Sequence, residues 1–283
     1  MRSGRVPVGY VRALGLLALL LLVAAVPAAH AQSSAEPQLV FTIYGGLSEG
    51  SDLWKVPAQA VSAPNALQDT LAVARLLRPG LVTGLVTTYY ASPHWGWTAD
   101  IGYFGIGSEQ RCAGPATWAA DSQDRNSQVC STANGAHVGT NVVGFLIGVT
   151  YRPTAPDAAL QPFVRVTGGP GLLGNTSFIE TIGVFRDAGA CGPGCEEPII
   201  QNQSKPDVTW VVNLAAGLSV SIAPGYRARM EFRDVITRLP IATGPRDPTN
   251  AAAEPPTSSI VRNLPTLLFG LDVVLERRHP RRY

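Results

Sequence analysis

"GYRARMEFRDVIT", residues 225–237, alternates strictly. Arg227, Arg229, Glu231 and Arg233 take every second position, and Ala228, Met230 and Phe232 fill the places between. A period of two is that of a β-strand, whose side chains point by turns to opposite faces. This strand has one charged face and one apolar face. In a water-soluble protein the charged face meets water, whereas in a membrane barrel it lines the interior. The direction of those arginines therefore decides the class of the protein.

Seven other stretches read as strands: "QLVFTIYGG" (38–46), "GLVTGLVTTYYA" (80–91), "HWGWTADIGYFGIG" (94–107), "NVVGFLIGVTYR" (141–152), "QPFVRVTGG" (161–169), "VTWVVNLAAGLSVSI" (208–222) and "PTLLFGLDVVLER" (265–277). They are rich in Val, Thr and aromatic residues and are separated by turn formers. Residues 66–80, "ALQDTLAVARLLRPG", fit either a loop helix or an upward extension of the second strand kinked at Pro79. Periodicity does not choose between the two. Short connections at 92–94, 153–160 and 223–226 alternate with long polar ones near 47–79, 108–140, 170–207 and 239–264. One end of the protein thus carries tight turns and the other carries large loops, as in outer-membrane barrels.

The strand faces differ sharply. In the eighth strand Leu267, Phe269, Leu271, Val273 and Leu275 oppose Leu268, Gly270, Asp272, Val274 and Glu276. In the third, Trp95, Trp97, Ala99, Ile101 and Tyr103 oppose Gly96, Thr98, Asp100 and Gly102. The water-exposed face of a sandwich would carry long polar side chains, yet lysine is nearly absent and the polar faces are full of glycine. Small residues suit the narrow interior of a closed eight-stranded barrel. The expectation is apolar side out and polar side in. Asp100, Arg152, Arg165, Arg227, Arg229, Glu231, Arg233, Asp272 and Glu276 then form an ionic plug. Arg227 and Arg229 are expected near Glu276 and Asp272, with Glu231 bridging Arg229 and Arg233. Trp95, Trp97, Tyr89, Tyr90 and Tyr151, beside the short turns, are expected at a membrane–water interface.

Arg2, Arg5 and Arg12 precede the apolar run "ALGLLALLLLVAAVPAA", which ends in "AHA" at residues 29–31. That is the pattern of a cleaved signal peptide over residues 1–31, with a barrel domain over 32–283. Removing those three arginines from the 22 basic residues leaves 19 against 20 acidic ones. A near-neutral chain argues against a nucleic-acid partner. Cys112, Cys130, Cys191 and Cys195 are an even set in an exported chain, which suggests two disulfides with three possible pairings. The simplest is Cys112–Cys130 with Cys191–Cys195, each within one loop, and the crossed pairing stays open. "CGPGC" is one residue longer than a thioredoxin-type motif, and zinc would need four converging thiolates.

With these features in place, the chain resembles the small eight-stranded outer-membrane barrels of the OmpA/OmpX type. The resemblance rests on architecture and on texture such as "WTADIGYFG" (97–105) and "YRARMEFRDVI" (226–236). It implies an all-β fold: an eight-stranded, antiparallel, up-and-down transmembrane β-barrel with long extracellular loops and short periplasmic turns. It also implies residence in the outer membrane, lipid and the barrel-assembly machinery as partners, and no cofactor. Gly270, Val273 and Leu275 fit the glycine–apolar–apolar assembly signal. The expected role is non-enzymatic, a structural or surface-interaction role with an extracellular partner that the sequence does not name. The alternatives are a narrow pore, a lipid-modifying barrel enzyme and a soluble secreted ligand-binding barrel. Of the histidines only His137 falls near the outer rim, and no serine–histidine pattern accompanies it.

Overall fold

The computed structural model describes residues 37–62, 68–118, 125–174, 178–184, 196–202, 206–247 and 253–275. The expected signal peptide, Cys191, Cys195 and Glu276 lie outside the described residues. The elements are β1 (Gln38–Ser48), β2 (Asp52–Ser62), β3 (Gln68–Arg78), β4 (Gly80–Tyr90), β5 (Trp95–Ala113), α1 (Arg125–Ala133), β6 (His137–Tyr151), β7 (Leu160–Leu173), β8 (Thr181–Val184), β9 (Glu196–Ile200), β10 (Asp207–Ala223), β11 (Tyr226–Ala242) and β12 (Thr257–Leu275).

Eight strands close a ring in the order β1–β4–β5–β6–β7–β10–β11–β12, and β12 pairs back onto β1 from Leu39↔Leu275 to Ser48↔Thr266. All neighbours are antiparallel and follow one another along the wall, so the fold is an up-and-down barrel. Closure removes the unpaired sheet edges that an open sheet of this length would expose.

The described residues of the stretch 47–79 are mostly strand, not loop. β2 and β3 form a hairpin that prolongs the wall above β1 and β4, and β3 pairs the upper part of β5 from Ala72↔Ala113 to Arg78↔Gly107. β4 takes over the same edge of β5 from Val82↔Phe104 downwards, so the register slips by one residue around Pro79. Proline has no N–H for the ladder and sits where the ladder is broken anyway. Residues 68–78 are therefore strand, which settles the helix-or-strand ambiguity. β5, β6, β11 and β12 likewise run further upwards than periodicity alone indicated, because their upper residues bury a second core.

The inward faces change character with height. In the lower part β11 turns Arg229, Glu231 and Arg233 inwards, while Met230 and Phe232 are 47% and 56% exposed on the outside. Higher on the same face come Val235 and Leu239, both buried. β5 repeats this, with Asp100 below and Phe104 and Ile106 above. Polar-in therefore holds only for the lower half, contrary to the expectation for the whole wall. The upper half encloses an apolar core that includes Leu53, Val56, Leu71, Val73, Val142, Val211 and Leu264. Its outward side chains include Lys55, Arg78, Arg111, Arg238 and Asn263, all exposed.

Glycine makes room in the lower lumen. Tyr44, Gly84, Gly102 and Gly144 lie on one rung through the registers Tyr44↔Gly84, Gly84↔Gly102 and Gly102↔Gly144. The Tyr44 ring lies along that rung. A Cβ at Gly84 would stand 2.5 Å from the Tyr44 hydroxyl, and one at Gly102 would stand 2.7 Å from it. At the lower rim of the wall, Pro224 and Gly225 turn β10 into β11, and Gly225 has φ 78°, a conformation that glycine adopts without strain.

Tyr90 departs from the expected aromatic girdle. It points inwards and is buried, while Tyr89, Trp95 and Trp97 face outwards with exposures of 45%, 57% and 69%. Adjacent strand residues face opposite ways, so Tyr89 and Tyr90 cannot share a side.

Gly102→Leu should displace the Tyr44 ring and lower stability by about 1–3 kcal/mol, as overpacking does. Ala99→Leu, whose side chain faces outwards, should leave the urea unfolding midpoint of the refolded barrel nearly unchanged.

Candidate functional site

The charged layer of the lower lumen is built by side chains from six of the ring strands. β11 contributes three of them because its inward positions are all charged. Glu231 meets three guanidinium groups. Arg229 donates from Nε to Oε2 at 3.1 Å, Arg233 donates from Nε to Oε1 at 2.9 Å, and Arg165 on β7 donates from Nη2 to Oε1. Arg229 Nη1 also lies 3.4 Å from Asp272 Oδ1. Asp272 accepts the Thr42 hydroxyl at 2.7 Å and the Ser219 hydroxyl at 2.6 Å.

Asp100 closes the cluster from β5. The Tyr44 hydroxyl donates to Asp100 Oδ1 at 2.9 Å and accepts from Arg233 Nη1 at 3.2 Å. Arg233 Nη1 also stands 3.2 Å from Asp100 Oδ2, an ion pair whose angle is not that of a hydrogen bond. Two guanidinium planes cover aromatic rings, Arg229 over Phe163 at 3.7 Å and Arg233 over Tyr44 at 4.5 Å. Arg165, Arg229 and Arg233 thus face Asp100, Glu231 and Asp272, three charges against three. Neutral pairing of this kind is what a buried charged layer requires.

Arg152 and Arg227 lie below this layer and do other work. Arg152 covers the Tyr90 ring at 3.8 Å and donates to the Pro93 carbonyl at 2.7 Å and to Gln38 Oε1 at 2.8 Å. Arg227 donates to the Pro156 carbonyl at 2.8 Å and to the Ala158 carbonyl at 3.1 Å. Each fastens a short turn to the rim. Arg227 and Arg229 were expected near Glu276 and Asp272: Arg229 meets Asp272, Glu276 lies outside the described residues, and Arg227, though the register partner of Asp272, reaches down to the turn carbonyls. Between rim and charge layer remains a cavity of ≈ 20 Å³ beside Tyr90, Phe163 and Arg229. That is about the room of one water-sized sphere.

The upper mouth is filled as well. Cys112 on β5 and Cys130 on α1 are joined by a disulfide, with Cα atoms 5.4 Å apart. Both cysteines belong to regular elements, not to a loop as expected. The bond holds α1 so that Val129 and Ala133 enter the upper core. Trp54 Nε1 donates to the Phe178 carbonyl at 2.9 Å, and Gln59 exchanges two hydrogen bonds with the Arg246 backbone at 2.7 and 3.0 Å. The connections are thereby tied to the β2–β3 hairpin.

Sequence reasoning missed Tyr44, Tyr90, Thr42 and Arg75, all on inward faces. Tyr44 was legible from parity, since it shares the inward face of β1 with Thr42. Arg75 lay in the ambiguous stretch, so no face could be assigned to it.

No family model matches the chain, and no curated protein matches it either. Among solved structures it is similar to Ail, the attachment invasion locus protein of Yersinia pestis, in complex with the heparin analogue sucrose octasulfate: 10% identity, 84% of this chain, 98% of that one and a TM-score of 0.35. It is similar to Neisserial surface protein A at 9% identity, over 84% of this chain and 99% of that one, with a TM-score of 0.33. It is also similar to the outer membrane protein AlkL in DMPC lipid bilayers at 10% identity, over 88% of this chain and 96% of that one, with a TM-score of 0.35. The eight-stranded barrel assignment rests on the chain's own strand pairing.

Glu231→Gln should lower stability by about 3–5 kcal/mol, because it leaves three buried guanidinium groups with too few carboxylates. Arg238→Ala, on the outer surface, should stay within about 0.5 kcal/mol. Urea titration of the refolded barrel checks both. Cys112→Ser should leave barrel closure intact but make the α1 segment more susceptible to protease, since a loop of this length loses about 3 kcal/mol of constraint.

Proposed function

We propose that the chain is a non-enzymatic barrel of an outer membrane, closed to solutes, that presents a rigid disulfide-pinned surface for contacts outside the cell. One observation carries this reading: the wall reverses its polarity with height. Below, large apolar side chains face outwards from every ring strand, among them Phe41, Leu85, Ile101, Phe145, Ile147, Val166, Leu214, Phe232 and Phe269. Water penalises such a belt, and lipid does not. Above, the same wall buries apolar residues and turns charged ones outwards, as a protein in water does.

The surrounding lipid is then the partner of the belt, and the barrel-assembly machinery is the agent that inserts it. The aromatic side chains Tyr89, Trp95, Trp97 and Tyr226 ring the short-turn end on the outside, which supports placing that end at an interface. The charged layer uses its carboxylates structurally. Each interior carboxylate is held between guanidinium or hydroxyl groups of the barrel itself. The filled lumen supports a role in which the wall is a support and the upper half is the working part. The extracellular partner would meet the ends of the β2–β3 hairpin and the connections beside it.

The chain should fractionate with outer membranes and migrate faster on gels before heating than after it. Planar bilayers should show no steady conductance from the folded protein. Phe232→Arg should reduce the heat-modifiable fraction, since a cation against lipid costs about 2–4 kcal/mol near the midplane. Recovery of a detergent-free monomer from the soluble fraction would overturn the reading.

A further inference from the structure

The stretch 225–237 breaks its own pattern at one place. Asp234 follows Ala228, Met230 and Phe232 on the outward face of β11, because Arg233 and Val235 on either side of it point inwards and are buried. Its height on the wall follows from the register. Stepping round the ring strand by strand through paired residues, a path that leaves β7 at Leu172 returns to β7 at Pro162, ten residues lower. The strands are therefore tilted to the barrel axis, and the level shifts by about one and a quarter residues at each of the eight strands. With that shift Asp234 stands level with Leu47, Phe145 and Leu267, which are 61%, 46% and 47% exposed. It is a carboxylate set into the apolar belt, near the upper edge.

The side chains around it form a column. Asn263 on β12 donates from Nδ2 to Asp234 Oδ2 at 2.9 Å. Four residues further up the same face of β11 is Arg238, roughly 10 Å higher along the axis of a tilted strand. Arg238 is exposed and donates from Nε to Ser259 Oγ, while its two Nη groups make no bond among the described residues. Trp210, half-exposed, flanks it across the β10–β11 ladder. Below the acid the face is apolar, with Leu214, Phe232 and Leu267 all turned outwards. From top to bottom the column offers a cation beside an aromatic ring, then an acceptor, then hydrocarbon.

That order matches the order of groups along a lipid. An ionisable side chain facing hydrocarbon marks a functional position, because it costs free energy unless something in the membrane meets it. A phosphate meets Arg238 through charge-assisted hydrogen bonds. A carboxylate accepts several hydrogen bonds, and a lipid adds to them only by bringing a donor. The ester linkages of a diacylglycerol phospholipid are acceptors alone. An amide N–H or a hydroxyl at the root of the chains is a donor.

We propose that the outward face of β11 and β12 binds a lipid that carries a phosphate and, at its chain linkages, amide and hydroxyl donors. Arg238 takes the phosphate, Asp234 accepts from the donors, and Leu214, Phe232 and Leu267 lie along the chains. The proposal rests on the membrane reading and adds to it the class of lipid that one side of the belt selects.

Ceramide 1-phosphate and phosphatidic acid of equal chain length form the test. Both are phosphomonoesters, and only the first has an amide N–H and a hydroxyl at the chain linkage. The full chain is refolded in micelles of zwitterionic detergent, closure is scored by heat-modifiable migration, and lipid bound from an equimolar mixture is counted by native mass spectrometry. The parent should carry ceramide 1-phosphate at least roughly three-fold over phosphatidic acid, the effect of one added hydrogen bond. Asp234→Leu, which suits the belt, should abolish that preference. Arg238→Gln should lower the occupancy of both lipids roughly three-fold or more and keep the preference. Arg78→Gln, at an outward arginine paired with Glu109, should change neither. Equal binding of the two lipids by the closed parent overturns the proposal. So does a preference that survives Asp234→Leu, or an occupancy that survives Arg238→Gln. The parent comparison decides by itself if a variant does not close. A parent that does not close overturns the membrane reading beneath the proposal, whereas closure without preference overturns the proposal alone.

Discussion

Glu231 is the carboxylate around which the lower barrel is arranged. Three guanidinium groups approach it from β7 and β11, and two of those reach on to Asp100 and Asp272 on β5 and β12. The layer therefore ties opposite sides of the wall together. Charges enclosed by a narrow ring cannot relax into water, so each needs a partner at a fixed height. That requirement fixes register, because a one-residue slip of β11 would turn Arg229, Glu231 and Arg233 out towards the apolar belt. The hydrophobic exterior cannot do this, since one leucine facing lipid is much like another.

The two halves of the wall are held by different forces. Below, the outward side chains gain nothing from water, and cohesion comes from backbone pairing, the charge layer and the packing of Tyr44 and Phe163 over glycine. Above, the enclosed core of Leu53, Val73, Val142, Val211 and Leu239 is stabilised by removal from water. The hairpin, α1 and the Cys112–Cys130 bond add cover to that core. A strand such as β11 must then satisfy two rules along a single face. Its inward residues change from Arg229, Glu231 and Arg233 to Val235, Thr237 and Leu239.

This change explains what the sequence disclosed and what it hid. Period-two alternation placed the lower strands and their inward faces, because charge and glycine contrast sharply there with Leu, Phe and Ile. Asp100, Arg165, Arg229, Glu231, Arg233 and Asp272 could be read as interior from parity alone. Above the belt the contrast fades. β3, "QDTLAVARLLR", carries apolar residues on both faces, so neither its strand character nor the inward direction of Arg75 could be read. Long-range partners were similarly out of reach. Nothing local indicates that Arg227 chooses the carbonyls of Pro156 and Ala158 over Asp272, since that depends on how the neighbouring turn folds beneath it. Tyr90 was misplaced because residue type was weighed ahead of parity.

The same contrast separates the roles of the arginines. An arginine between carboxylates is structural, since its hydrogen-bonding capacity is spent inside the protein. Arg152 and Arg227 are structural in another way, holding turns by their carbonyls. Arg75 and Arg262 are held in a third way. Arg75, buried in the upper half, donates to the Ser108 hydroxyl and the Glu180 carbonyl, with the charge of Glu180 offsetting part of its burial. Arg262 donates to the Leu53 carbonyl and so ties β12 to the hairpin. The polarity reversal thus also sets what an inward arginine must find: carboxylates in the lower lumen, and backbone carbonyls and hydroxyls where the wall closes over the apolar core.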